Sequence, residues 1–198
     1  MNYFLKGANI VVLANKHNPT IASKEWATQK GIITEEIKNF THTPVFSLIE
    51  TENFIFVVDP DRLQISVKKT FPQNLSELPN IVKRYIEQLP ETPYLAIGLN
   101  FIYHLNLEKG LERFFSPNTD KFKKIFSEPY QIGGTIRFKF ENFLVRLNIQ
   151  PTKENNKFIG DFNFHYDTEK LEEMKKILGM YFKVKDKAES ILKELNND

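Results

Sequence analysis

Two blocks of short apolar runs, each block followed by a segment of helical spacing, constrain the fold of this chain more than any other feature. In the first block the runs cover residues 45–50, 53–58 and 62–67. They are broken at Thr51-Glu52-Asn53 and at Asp59-Pro60-Asp61. Asn and Asp tolerate turn geometry and Pro fixes φ, so both breaks suit tight hairpins. The block therefore predicts a three-stranded antiparallel meander. Pro72 closes it, and Leu78, Val82, Tyr85, Ile86 and Leu89 then recur at helical spacing, with Pro79 expected in the first turn and Pro90 and Pro93 as stops. The second block, 132–140, 143–149 and 158–166, predicts another meander, followed by a helix over 168–195. Within it Ile136, Phe138 and Phe140 alternate with Thr135, Arg137 and Lys139, which puts the apolar set on one face and the cations on the other.

Around these blocks, residues 9–13 read as a buried strand ended by the turn formers of 15–20. Thr20 or Ser23 is placed to cap a helix carrying Trp26, with Gly31 as its stop or with continuation through 38. The aromatic and β-branched stretch 94–105 predicts a long central strand. Two short helices are expected over 107–115 and 120–126. The fold class that follows is α+β: two antiparallel three-stranded meanders each followed by a helix, a central strand between them, and a long C-terminal helix. One domain over 1–198 is expected, with pseudo-repeat halves 1–106 and 107–198; one continuous sheet and two tandem sheets both fit.

The segment Val57-Val-Asp-Pro-Asp-Arg-Leu-Gln-Ile-Ser-Val, followed by a helix and then Ile97-Gly-Leu-Asn-Phe-Ile-Tyr, resembles an uncharacterised, sporadically distributed prokaryotic protein family. The resemblance covers residues 44–107, more loosely the late strands and terminal helix. Asn100 stands where that family usually has Arg, and Tyr103 where it has Asn. The resemblance implies a fold pattern and a prokaryotic origin, and transfers no catalytic residue.

With 41% hydrophobic and 26% charged residues over 198 positions, the chain has the composition of a folded protein with a sizeable core. Lys+Arg 27 against Asp+Glu 25 leaves a net +2, so any attraction to nucleic acid must come from a local patch. Zero cysteines exclude disulfides, thiolate catalysis and Cys-ligated zinc. The longest nearly apolar window, 8–14, is far short of a membrane span of about 20 residues. No leader pattern opens the chain, and a cytoplasmic location is expected.

The four histidines, His17, His42, His104 and His165, carry no helical metal-ligand spacing, and neither metal nor cofactor is expected. Asp59-Pro-Asp-Arg reads as a self-capped turn, and Gly133-Gly134 as a bulge or a close backbone approach, since no phosphate-loop residues follow.

The terminal helix carries the sharpest functional pattern. Leu171, Met174, Leu178, Tyr181, Lys185, Ala188, Leu192 and Leu195 follow alternating steps of three and four, an a/d seam with Lys185 polar. Phe182, Val184 and Ile191 widen the stripe beyond a strict seam, which favours packing of the first half on the chain's own sheet. The second half, after Gly179 and among Lys183, Lys185 and Lys187, is open to the same packing or to a partner. Leu178, Tyr181, Lys185, Ala188, Leu192 and Leu195 are the candidates for that protein interface. The first expectation is a non-enzymatic protein-binding or assembly module that self-associates as a homo-oligomer or takes a protein partner. The alternative is a nucleic-acid-associated protein of a prokaryotic defence or mobile-element locus, using Lys121, Lys123, Lys124, Arg137, Lys139 and Arg146. A third reading is an enzyme with a cleft around His17 and His104.

Overall fold

The computed structural model describes residues 2–107, 132–154 and 156–195, together with residue 125. The helices expected over 107–115 and 120–126 lie almost wholly outside the described residues. Among those described, the chain is α+β: nine strands, β1 (Asn2–Ala14), β2 (Asn39–Thr43), β3 (Phe46–Glu50), β4 (Phe54–Val58), β5 (Arg62–Val67), β6 (Tyr94–Asn106), β7 (Gly134–Phe140), β8 (Phe143–Pro151) and β9 (Lys157–Asp167). Four helices accompany them: α1 (Lys24–Gln29), α2 (Pro72–Gln88), α3 (Leu171–Gly179) and α4 (Tyr181–Glu194).

All nine strands join one antiparallel sheet in the order β2-β3-β4-β5-β1-β6-β9-β8-β7. Of the two arrangements the sequence allowed, the strands take the single continuous sheet; the expected pattern of two three-stranded meanders, each followed by a helix, with a lone strand between them is corrected. The first meander has a fourth strand, β2, whose residues are all exposed; with no buried face it carries no alternation to betray it. The central strand is half of a pair, because β1 extends back to Asn2 and runs antiparallel to β6 along its whole length. The order is symmetric about that pair: β5, β4 and β3 on one side answer β9, β8 and β7 on the other. On this arrangement β6 opens the second half, whereas a division at 106 places it in the first.

The helices pack on one face of the sheet. α1 starts where Ser23 accepts a hydrogen bond from the Trp26 N–H at 3.1 Å, and ends at Gly31, whose φ of 63° suits a residue without Cβ. α2 begins six residues earlier than Leu78, at Pro72, where a missing N–H costs nothing. Pro79 consequently falls in the helix interior. The burial of Leu75, Leu78, Ile81, Val82, Tyr85 and Ile86 along one stripe outweighs that single lost backbone bond. The C-terminal helix is not continuous: Met180, at φ −87° and ψ 1°, separates α3 from α4.

Between helices and sheet lies the core. Ile10, Val12, Leu99, Phe101, Phe162 and Phe164 project from the central strands, and Tyr85 and Tyr181 come down from α2 and α4. Phe101 touches Tyr181 at 5.2 Å and Phe164 at 6.2 Å between ring centroids. Gly133 confirms the close approach read from its sequence, since a Cβ there would stand 2.8 Å from the Ile149 carbonyl oxygen. Phe101→Ala should lower unfolding free energy by about 3–5 kcal/mol, read from urea denaturation. A loss below about 1 kcal/mol would show that this layer is not the centre of the core.

Candidate nucleic-acid interface

Alternation dictates that what the helices do not cover is the other face of the same strands. α2 and α3 pack on each other, Tyr85 meets Phe56 and Trp26, and Ser47 donates to the Ala22 carbonyl, so all four helices share one side. None of these four helices lies on the opposite face. Register assigns that face Asn9, Val11 and Leu13 of β1, Gly98, Asn100, Ile102 and His104 of β6, Asp161, Asn163 and His165 of β9, and Leu144, Arg146 and Asn148 of β8.

One row crosses it without a break in register: Asn9 opposite Asn100, Asn100 opposite Asn163, Asn163 opposite Arg146, Arg146 opposite Arg137. The Asn100 amide donates to the Asn9 carbonyl oxygen at 2.8 Å, and the Asn163 amide donates to that of Asn100 at 2.6 Å. The row spans four inter-strand spacings, about 19 Å. Amides so linked are held in fixed orientation and keep their remaining hydrogens and lone pairs for a ligand.

At the β7–β8 end the row becomes cationic. Arg137 and Arg146 stand directly opposite each other, a like-charge placement that destabilises a bare sheet. Lys139 follows on the same side of β7. Among the described residues none of the three forms an ion pair within 4 Å. Half-buried Asp161 feels the charge of Arg146: burial raises its carboxyl above the usual range while Arg146 pulls it down. A shallow depression of about 320 Å³ lies between Arg137, Arg146, Asn163 and His165. The His165 ring is itself 2.8 Å from Asp167. Phe138 and Phe140 pack toward the core, so the cations and these aromatics are separated, as the alternation of the sequence requires.

The other sequence candidates separate clearly. Lys121, Lys123 and Lys124 lie outside the described residues. The helical seam is occupied by the chain itself: Leu178, Tyr181, Ala188 and Leu192 are buried, Leu195 packs against the core, and Lys185 pairs with Glu189 at 2.6 Å. An a/d pattern matches a sheet as readily as a partner helix, and here the sheet fills it. These six residues form no open surface, whereas Phe182, on the outer side of α4, is 45% exposed.

His17 and His104 share no cleft. His17 is buried with the helix-side aromatics, 6.2 Å from Tyr85 and 6.0 Å from Tyr94, while His104 lies on the open face near the far end of β6. His165 is opposite Gly98, six residues from His104, so these two histidines stand about 20 Å apart along the strands. Asp59 forms the self-capped turn, its Oδ1 accepting from the N–H groups of Asp61 and Arg62 at 3.0 Å each. Among the described residues no three His, Asp or Glu side chains gather to hold a metal ion, and no helix is long and apolar enough to cross a membrane.

Sequence reasoning missed the asparagine row. Its signal was present: Asn9, Asn100 and Asn163 are each embedded in apolar strand sequence, where Asn is disfavoured. Compared with known proteins, the chain matches no protein-family model and no curated protein.

The His17 Nε2–H donates to the Val12 carbonyl at 3.1 Å, which leaves Nδ1 unprotonated, buried and without a partner among the described residues. Burial holds this imidazole below its usual titration range despite the Val12 carbonyl and Asp59, which favour the cation. The unfolded chain therefore takes up the proton first, and stability is retained above about pH 6.5 and falls below it. His17→Gln should flatten that part of the profile, so that the stability difference from wild type, measured by urea denaturation, narrows between pH 8 and pH 5. A pH-independent difference would mean that His17 does not titrate on unfolding.

Proposed function

We propose that this protein is a non-enzymatic binding module whose open sheet face takes nucleic acid. The observation that carries the reading is the mutually opposed Arg137–Arg146 pair, without an ion-pair partner among the described residues and with Lys139 beside it, at the end of an oriented asparagine row. Phosphates would relieve the repulsion of the pair, and the row offers both donors and acceptors to bases or sugars. The net charge of only +2 makes the attraction local, so affinity should be modest and steep in salt.

This ordering departs from the one the sequence favoured, because the seam that argued for self-association is spent inside the chain. Assembly has a separate basis in the first half of the same face, where Leu48 opposite Val57, and Ile55, Val11 and Leu13 nearby, are only half-buried. A second copy seated there is the second reading. Light scattering across a concentration series tests it: Leu48→Lys should turn a dimer into a monomer, and a wild-type chain that stays monomeric at high concentration removes it.

For the first reading, fluorescence anisotropy with a labelled 20-nucleotide strand should show binding at low salt that weakens steeply as salt rises. Replacing Arg137 and Arg146 with Ala should lower affinity more than tenfold. On a single strand it should also flatten the log–log salt slope by about 0.7 for each phosphate the variant no longer neutralises. Equal affinity of variant and wild type, or no binding by wild type at low salt, would overturn it.

A further inference from the structure

Strand β1 changes face partway along. From Ala8 to Ala14 the even-numbered residues point to the core, yet Leu5 is opposite Tyr103 while Gly7 is opposite Ile102, so Lys6 is an extra residue in a β-bulge. An unbulged strand would carry Phe4 to the helix side. The bulge sends Tyr3 and Leu5 there and turns Phe4 outward, opposite His104 on the open face.

Phe4 is 57% exposed, and its ring lies 4.9 Å from that of His104. An outward-turned phenylalanine costs the core an anchor, and here it forms one wall of a cleft of about 530 Å³. That volume is within the range of sites for small ligands. His104, Asn106 and Ile159 line it on the sheet side together with Lys157, the first residue of β9, and Lys153 stands on the loop between β8 and β9. Lys157 is paired with Glu154, whereas Lys153 has no ion pair among the described residues.

A Phe4 ring that is more than half exposed, half-buried Ile159 and the Lys153 ammonium in the same lining match one ligand chemistry: a flat heterocycle attached to a phosphate. The cleft lies on the same face as the asparagine row. His104 is four residues along and two strands across from Arg146, a separation of about 16 Å. In a duplex the faces of the bases are occupied by their neighbours; only an unstacked base can lie on Phe4.

We propose that the Phe4–His104 cleft is a stacking subsite for a base of single-stranded nucleic acid whose backbone runs toward Arg146 and Arg137. This rests on the reading of the open face as a nucleic-acid interface. The test measures anisotropy with two labelled probes of equal length, an oligothymidylate and an abasic deoxyribose-phosphate strand. Wild type should bind the oligothymidylate more tightly. Phe4→Ala should lower that affinity about tenfold and leave abasic binding unchanged, while Phe4→Trp should restore it and show indole quenching on binding. If Phe4→Ala binds both probes as wild type does while Arg146→Ala is impaired, the subsite is refuted and the interface stands. If wild type binds neither probe, the interface itself is refuted and the subsite with it.

Discussion

The antiparallel pairing of β1 with β6 is the constraint on which the rest of the structure depends. Each strand has 13 residues, and their register sets Ile10 against Leu99 on the core side and Asn9 against Asn100 on the open side. Every other strand is added outward from this pair, so a one-residue slip would exchange core and surface for both wings at once. The two β-irregularities in it, between Leu5 and Gly7 and between Leu13 and Ala14, permit local changes of face without loss of the overall register.

From that pair the two faces acquire opposite characters for a simple reason. Helices follow the last strand of each wing and return over the same side, where the aromatic residues Phe101, Phe162, Phe164, Tyr85 and Tyr181 fill the space between layers. The hydroxyls of Tyr85 and Tyr181 have no hydrogen-bond partner among the described residues, and burial raises both, and Tyr103 with them, above the usual phenol range. The side left over carries amides, arginines and half-buried aliphatic residues. Its character changes from apolar at β3–β4 to cationic at β7–β8, although the strand order of the two wings matches, so the wings share an architecture and differ in what they present.

Much of this was legible in the sequence where a residue's neighbours along the chain decide its state. The strands of residues 45–67 and 132–166, the Ser23 cap, the Gly31 stop and the Asp59 turn all rest on local patterns. Strand β2 was not legible, because a strand exposed on all sides has no hydrophobic period. Nor was the start of α2, where the turn-forming reading of Pro72 and its reading as a first helical residue are both locally sound. The site was half legible: Arg137, Lys139 and Arg146 stood out as cations, but nothing along the chain says that residues 9, 100 and 163 meet.

By itself, then, the sequence determined which stretches alternate, which recur at helical spacing, and that phenylalanines and cations of β7 part to opposite sides, since these follow from backbone periodicity alone. Only the tertiary structure decided what each apolar stripe is buried against. The seam of the last helix could be satisfied equally by a partner or by the chain's own sheet, because hydrophobic burial has no direction and rewards whichever surface is nearest. The alignment of three distant asparagines with an arginine pair came the same way, from strand pairings set by long-range register.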